Sequence, residues 1–301
     1  MKMMKQAFVN INNLPTRVIT YGRWITDEPD KNEEIILIIP GNPGITDFYK
    51  VFMEMLYEKL RCPVWVVGHT GHEKHCSRIV PAPLPQPIGL REQIQQKVTF
   101  IEEYVPEDAK LHIIGHSIGS HMALEMLKEP TIESRIAQIY LIFPVFEKML
   151  ETPNGKRMYN YFSYLKSTGI FLARIHTILP KIITYSALKL LMSIRGIRGQ
   201  EHKTLHRLIH PKMLQQVFYL VFEQLDQVKE RDSENFKNNA NRINILYGDK
   251  DNWCFEDSFV NIRKDFPEIR AEMTLFEHGF FFRENEEVAD VLGEWIQSRL
   301  D

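Results

Sequence analysis

A serine set between glycines where a strand turns into a helix can become a nucleophile, and Gly115-His116-Ser117-Ile118-Gly119 has that form. It follows the short apolar run 111–114 (LHII) and leads into the helical run 121–128. So tight a turn holds the serine at a strained backbone angle, while the small glycines let strand and helix approach closely. The hydroxyl of Ser117 is pushed outward, and the N–H of Ile118 is aimed where an oxyanion would form. The five-residue pattern also occurs in ordinary strand-to-helix turns. Its placement between a strand and a helix is what favours the nucleophile.

A hydroxyl attacks only when a base takes its proton, and imidazole has a suitable pKa near neutrality. His278, after the run 272–276 (EMTLF), is the expected base. A carboxylate would fix its tautomer and offset the imidazolium charge. Two carboxylates compete in Gly248-Asp249-Lys250-Asp251, after 243–247 (INILY). Asp251 lies where the chain has left the strand and can reach back, so it is the expected acid, with Asp249 a turn or capping residue. A second oxyanion donor should come from the loop after an earlier strand. Pro40-Gly41-Asn42-Pro43-Gly44 follows 35–39 (IILII), and its prolines carry no N–H. Asn42 is the expected donor beside Ile118; the bland alternative is a rigid turn.

These groups need a frame that brings them together. The β-branched runs 35–39, 64–67 and 111–114 read as strands buried on both faces, alternating with helical spacing over 47–60 and 90–104. The rhythm continues through strands at 138–143, 243–247 and 272–276 and a closing helix over 286–300. That order predicts an α/β fold with an open, mostly parallel sheet flanked by helices. Residues 8–21, with Asn12-Asn13 inside, read as an edge hairpin. The proline-rich stretch 81–88 (PAPLPQPI) reads as a rigid connection near the top of the sheet. From about 145 to 235 the sequence is helical only. The expected division is therefore a core of 1–144 and 236–301 with a helical cap, 145–235, over the edge where open α/β sheets place ligands.

Composition narrows the classes. With 301 residues, 44 % hydrophobic, 25 % charged and net charge −2, the chain is not collagen, coiled coil or wholesale disorder, and has no global pull toward nucleic acid. Cys62, Cys76 and Cys254 are too few and scattered for a disulfide framework, which fits a reducing compartment. Neither a secretory signal nor a membrane-spanning run is expected. The stretch His69 to Cys76 holds three histidines and a cysteine, His69, His72, His75 and Cys76, and resembles a metal cluster only superficially, because it lacks metal-site spacing. Residues at the mouth of the cleft are expected there, and no metal or organic cofactor is.

The insertion has its own signature. Between residues 152 and 200 there is no Asp or Glu, yet there are eight Lys and Arg. Arg174, Lys181, Lys189 and Arg195 cluster on one face of a helical wheel, with a wide apolar arc beside them and Pro180 dividing the run. A helix in a lipid interface, its basic stems reaching anionic head groups, would look like this. A cap helix packed on the core with a solvated basic stripe would too.

The residues Ile39-Pro40-Gly41-Asn42-Pro43-Gly44 with Phe48-Tyr49, the Gly115–Gly119 pattern, and Tyr247-Gly248 with Asp251 and Trp253-Cys254 resemble the lipid droplet-associated hydrolase family of α/β-hydrolases. The resemblance runs from about residue 34 to the C-terminus, with the PGNPG loop its most specific element. Glu277 and Gly279 around the histidine, and Phe255 after Cys254, depart from the family's pattern. The resemblance implies Ser117 as nucleophile, Asp251 as charge-relay acid and His278 as base. It also implies a peripheral location at lipid droplets and the cytosolic face of the endoplasmic reticulum, and hydrolysis of neutral-lipid esters such as cholesteryl esters. The rival expectations are a droplet-surface scaffold with an idle triad, and an acyltransferase or thioesterase using the same three groups.

Overall fold

The computed structural model describes residues 4–73, 86–194 and 201–300. Strands β1 (Lys5–Ile11), β2 (Leu14–Tyr21), β3 (Glu34–Ile39), β4 (Val64–Val67), β5 (Lys110–His116), β6 (Ile136–Ile142), β7 (Ile243–Gly248) and β8 (Arg270–Thr274) form one sheet. Its order is β1-β2-β4-β3-β5-β6-β7-β8. β1 and β2 are antiparallel to each other, β2 is antiparallel to β4, and every later pair is parallel. This is the α/β-hydrolase architecture that the resemblance implies. The edge hairpin turns on Asn12 and Asn13, both at positive φ (50° and 63°), the two-residue turn whose twist matches its strands.

Helices α1 (Lys50–Leu60), α2 (Leu90–Tyr104), α3 (Ile118–Met126), α10 (Ser258–Asp265) and α11 (Asn285–Leu300) accompany the strands. Between β6 and β7 come α4 (Pro153–Arg157), α5 (Ser163–Ile178), α6 (Lys181–Ile194), α7 (Glu201–Leu208), α8 (Pro211–Gln227) and α9 (Ser233–Asn238). Two expected boundaries move. The helix expected over 47–60 opens as a 3-10 turn at Thr46–Tyr49, and α3 begins at Ile118, directly after the serine. Most of the proline-rich stretch 81–88 lies outside the described residues.

Both faces of the sheet are covered, which is why its strands read as continuous apolar runs. In β3, Ile35, Leu37 and Ile39 enter one core with β5, α2 and α3, while Ile36 and Ile38 enter a second with α1 and α11. α8 joins the first core through Leu220, Val221 and Leu225, and its Gln216 exchanges two hydrogen bonds with the backbone of Ile88. α5 and α6 lie outside it. Fourteen of the nineteen large hydrophobic side chains exposed among the described residues fall between 159 and 194. Ile178 and Ile182 are 83 % and 76 % exposed.

The chain runs from β3 to β4 on one side, then crosses back to β5 on the other. The sheet therefore has a topological switch point between β3 and β5, where loops diverge and leave a crevice.

Candidate active site

Ser117 stands at the C-terminal end of β5, beside that crevice, with φ 54° and ψ −121°. A non-glycine residue in this region stores strain, and the surroundings hold it there. The Ser117 N–H donates to Ile142 O, and its carbonyl accepts from Ser120 and Val145. Close packing is possible because of the glycines: a methyl group at 119 would stand 2.2 Å from the Ile39 carbonyl oxygen, and one at 115 would stand 2.6 Å from Gly119 O. The elbow is buried except at Ser117, which is partly exposed.

The loops after β7 and β8 reach the same point. His278 Nε2 lies 2.9 Å from Ser117 Oγ, and His278 Nδ1 lies 2.8 Å from Asp251 Oδ2. The other carboxylate oxygen of Asp251 accepts the Trp253 N–H at 2.8 Å, and the carboxylate is fully shielded from solvent. With Nδ1–H donating to the carboxylate, Nε2 is left to accept from the serine hydroxyl. Asp249, by contrast, is exposed, and its N–H donates to Thr274 O at the end of β8, continuing the pairing of β7 with that strand. The acid brought to the histidine is Asp251.

The β3 loop lies against this array. A methyl group on Gly41 would sit 3.0 Å from Ser117 Cβ, so Asn42 follows directly on a residue in contact with the serine. The Asn42 N–H has no hydrogen-bond partner among the described residues, and the Asn42 side chain donates to Val217 O of α8. Ile118 opens α3, so its N–H has no acceptor within the helix.

His69 and His72 are not at the mouth of a cleft, as the sequence reading expects; both are buried behind this loop. His72 Nδ1 accepts the Gly44 N–H at 3.1 Å, and the His69 N–H donates to Gly44 O. The bare Gly44 is what lets the His69 ring in, since a methyl there would meet it at 2.2 Å. Burial, with Lys97 nearby, pushes His72 down to about 3 and His69 well below its ordinary value. Lys97 itself is buried and pushed down to about 7, its ammonium donating to Gly68 O at 2.7 Å. His75 and Cys76 lie outside the described residues.

Two further residues belong to the site. Tyr49 Oη lies 2.7 Å from His116 Nδ1, and His116 Nε2 lies 2.9 Å from the backbone oxygen of His278. The sequence suggests packing or hydrogen bonding for His116, but nothing in the spacing singles out Tyr49 as its partner.

Arg174, Lys181 and Lys189 are exposed, and none makes an ion pair among the described residues. Arg195 lies outside them. A single helical wheel cannot be drawn through the four, because α5 ends at Ile178 and α6 begins at Lys181. No described helix is long and apolar enough to cross a membrane.

Residues 32–281 match the model of a protein family described as lipid-droplet associated hydrolase. The chain belongs to that family. Proteins called lipid droplet-associated hydrolase from Drosophila melanogaster and Homo sapiens are 33 % and 31 % identical to it. The alignments cover 98 % of this chain in both cases, and 98 % and 95 % of those proteins. Among solved structures, the 2-hydroxy-6-oxo-6-phenylhexa-2,4-dienoate hydrolase from Rhodococcus sp. strain RHA1 superposes with a TM-score of 0.66. That match covers 99 % of this chain and all of the other at 14 % identity, so the likeness is one of fold. Membership of the family therefore rests on sequence along nearly the whole chain, and the α/β-hydrolase fold on the structure.

Proposed function

We propose that this protein is a serine hydrolase that cleaves carboxylic esters of neutral lipids, cholesteryl esters among them, at the surface of lipid droplets and the cytosolic face of the endoplasmic reticulum. The observation that carries the reading is the unbroken line of hydrogen bonds from Asp251 through His278 to Ser117. His278 takes the hydroxyl proton as Ser117 Oγ attacks the ester carbonyl, and Asp251 holds the imidazole and offsets its charge. The N–H groups of Asn42 and Ile118 receive the oxyanion. Collapse of the tetrahedral adduct returns the proton to the leaving alcohol and leaves an acyl-Ser117. Water, deprotonated by His278, then releases the fatty acid.

Residues 145–235 are read as the cap over this chemistry. α5 and α6 form its lipid-facing part, on the strength of their exposed apolar surface and the acid-free sequence. Arg174, Lys181, Lys189 and Arg195 would meet anionic head groups. The family name of the relatives points to the droplet as that surface.

The test is a fluorophosphonate probe and a panel of esters offered as monomers and on droplets. Wild type is expected to label and to hydrolyse at the interface, and Ser117→Ala to do neither while keeping its fold and its droplet binding. Labelling that persists in Ser117→Ala refutes the nucleophile. Droplet binding without turnover in wild type favours a scaffold, and product partitioning to an added alcohol favours acyl transfer.

A further inference from the structure

His116 precedes the nucleophile by one residue, yet its ring is buried while Ser117 is partly exposed. Rings of Tyr49, Phe143, Phe280 and Phe281 surround it with centroids 5.4–6.2 Å away. Both of its nitrogens are engaged in that apolar setting, and their partners permit one proton arrangement. The backbone oxygen of His278 can only accept, so Nε2 carries the hydrogen. Nδ1 is then a lone pair and accepts from the Tyr49 hydroxyl. The tyrosine oxygen in turn accepts the Gly41 N–H at 3.0 Å.

We propose that Tyr49 and His116 are positioning residues of the hydrolase site. They form a directed chain, from Gly41 N–H through Tyr49 Oη–H and His116 to the His278 carbonyl, that holds the oxyanion loop and the base in register with the elbow. The proposal rests on the serine-hydrolase reading above. Its consequence is that three loops from β3, β5 and β8 are joined by bonds that do not change during turnover. The side chain of His278 must gain and lose a proton; its backbone is pinned by a group that does neither. His116 is suited to that part, because burial and the neighbouring His278 push it down to about 3 and keep it neutral. The two imidazoles stand 5.2 Å apart, yet the serine proton is left to His278.

The experiment measures the rate of fluorophosphonate labelling at saturating and limiting probe, with thermal midpoints, for wild type, Tyr49→Phe, His116→Leu, His116→Gln and the Tyr49→Phe/His116→Leu double variant. His116→Leu should slow the saturated rate roughly 10–100-fold, the effect expected of misplacement by about 1 Å, with apparent probe affinity unchanged. His116→Gln keeps an N–H that can reach the His278 carbonyl and should recover most of the loss. Tyr49→Phe should be slowed as well, and the double variant should be no slower than His116→Leu alone, because both cut one chain. Wild-type labelling in His116→Leu, equal rates for Leu and Gln, or multiplying losses in the double variant would each overturn the proposal. Should His116→Leu fail to fold, Tyr49→Phe, which removes one oxygen atom, decides the matter by its saturated rate. A wild type that does not label at all removes the hydrolase reading and this one with it. A labelled wild type with unaffected variants removes this one alone.

Discussion

Replacing Gly119 by alanine sets two effects of opposite sign against each other. Within a helix, alanine is favoured over glycine by roughly 0.5–1 kcal/mol. Against that, the new methyl would stand 2.2 Å from Ile39 O and 2.8 Å from Pro40 O, where ordinary contact begins at 3.4 Å. The closer contact is short by about 1.2 Å (3.4 − 2.2). Both obstacles are main-chain carbonyls at the end of β3, a strand hydrogen-bonded on either side to β4 and β5. Nothing flexible can yield, so α3 must move away from β3. Overpacking of this kind costs about 1–3 kcal/mol, and a backbone obstacle belongs at the upper end. The clash wins, for a net loss of about 2 kcal/mol in urea unfolding.

Activity should suffer more than stability. α3 carries the Ile118 N–H and β3 leads to the Asn42 N–H, so separating the two elements by about 1 Å pulls apart the proposed oxyanion donors and costs about 100-fold in labelling rate. Gly169→Ala in α5 is the control: its methyl would meet the Phe218 ring at 3.7 Å, an ordinary contact. That variant should gain roughly 0.5–1 kcal/mol and label normally. A Gly119→Ala protein as stable and as reactive as wild type, or a Gly169→Ala protein equally damaged, would show that close packing of α3 on β3 does not control the elbow.

Asp251→Asn should reduce ester turnover on the order of 10³–10⁴-fold by removing the carboxylate that orients His278, whereas Asp249→Asn should stay within about twofold; equal losses, measured by steady-state kinetics, would contradict the assignment of the acid. Lys97 sits near 7 in the fold against an ordinary 10.5, so between those values the unfolded chain holds a proton that the native one lacks and stability rises with pH. Urea midpoints should show a gain of roughly 2 kcal/mol from pH 7.5 to 9.5 in wild type that is missing in Lys97→Met; the same slope in both would exclude Lys97 as its source. Ile178→Glu/Ile182→Glu alters two highly exposed side chains, so stability should change by less than about 0.5 kcal/mol. Binding to anionic phospholipid vesicles should nonetheless weaken at least about tenfold, since each isoleucine buried in the interface contributes about 1.5–3 kcal/mol; unchanged sedimentation with vesicles would argue against α5 and α6 as the lipid face.

Much of this molecule is written locally. The runs IILII, VWVV and LHII declare strands covered on both faces, because each successive side chain must find a core whichever way it points. The elbow is equally legible: only glycine at 115 and 119 allows α3 to lie so close to β3, and the serine between them is placed by that constraint. Asn12-Asn13, suited to positive φ, marks the edge hairpin. Asp251 could be preferred to Asp249 by counting residues past the strand end, and the structure brings Asp251 to His278.

Other features depend on which distant segments pack together. That Tyr49 meets His116, across 67 residues of chain, follows from β3 and β5 lying side by side with β4 displaced to the other flank. The burial of His69 and His72 follows from a loop closing over them, which a polar, loop-like sequence does not announce. The exposed apolar surface of α5 and α6 is likewise invisible in pattern alone, since an apolar helix reads the same whether protein or something else covers it. Side-chain type and spacing decide what each segment can become and which face it must hide. Strand order, loop closure and the choice of what covers a face are decided by long-range packing, where many compatible segments compete and the assembled fold selects among them.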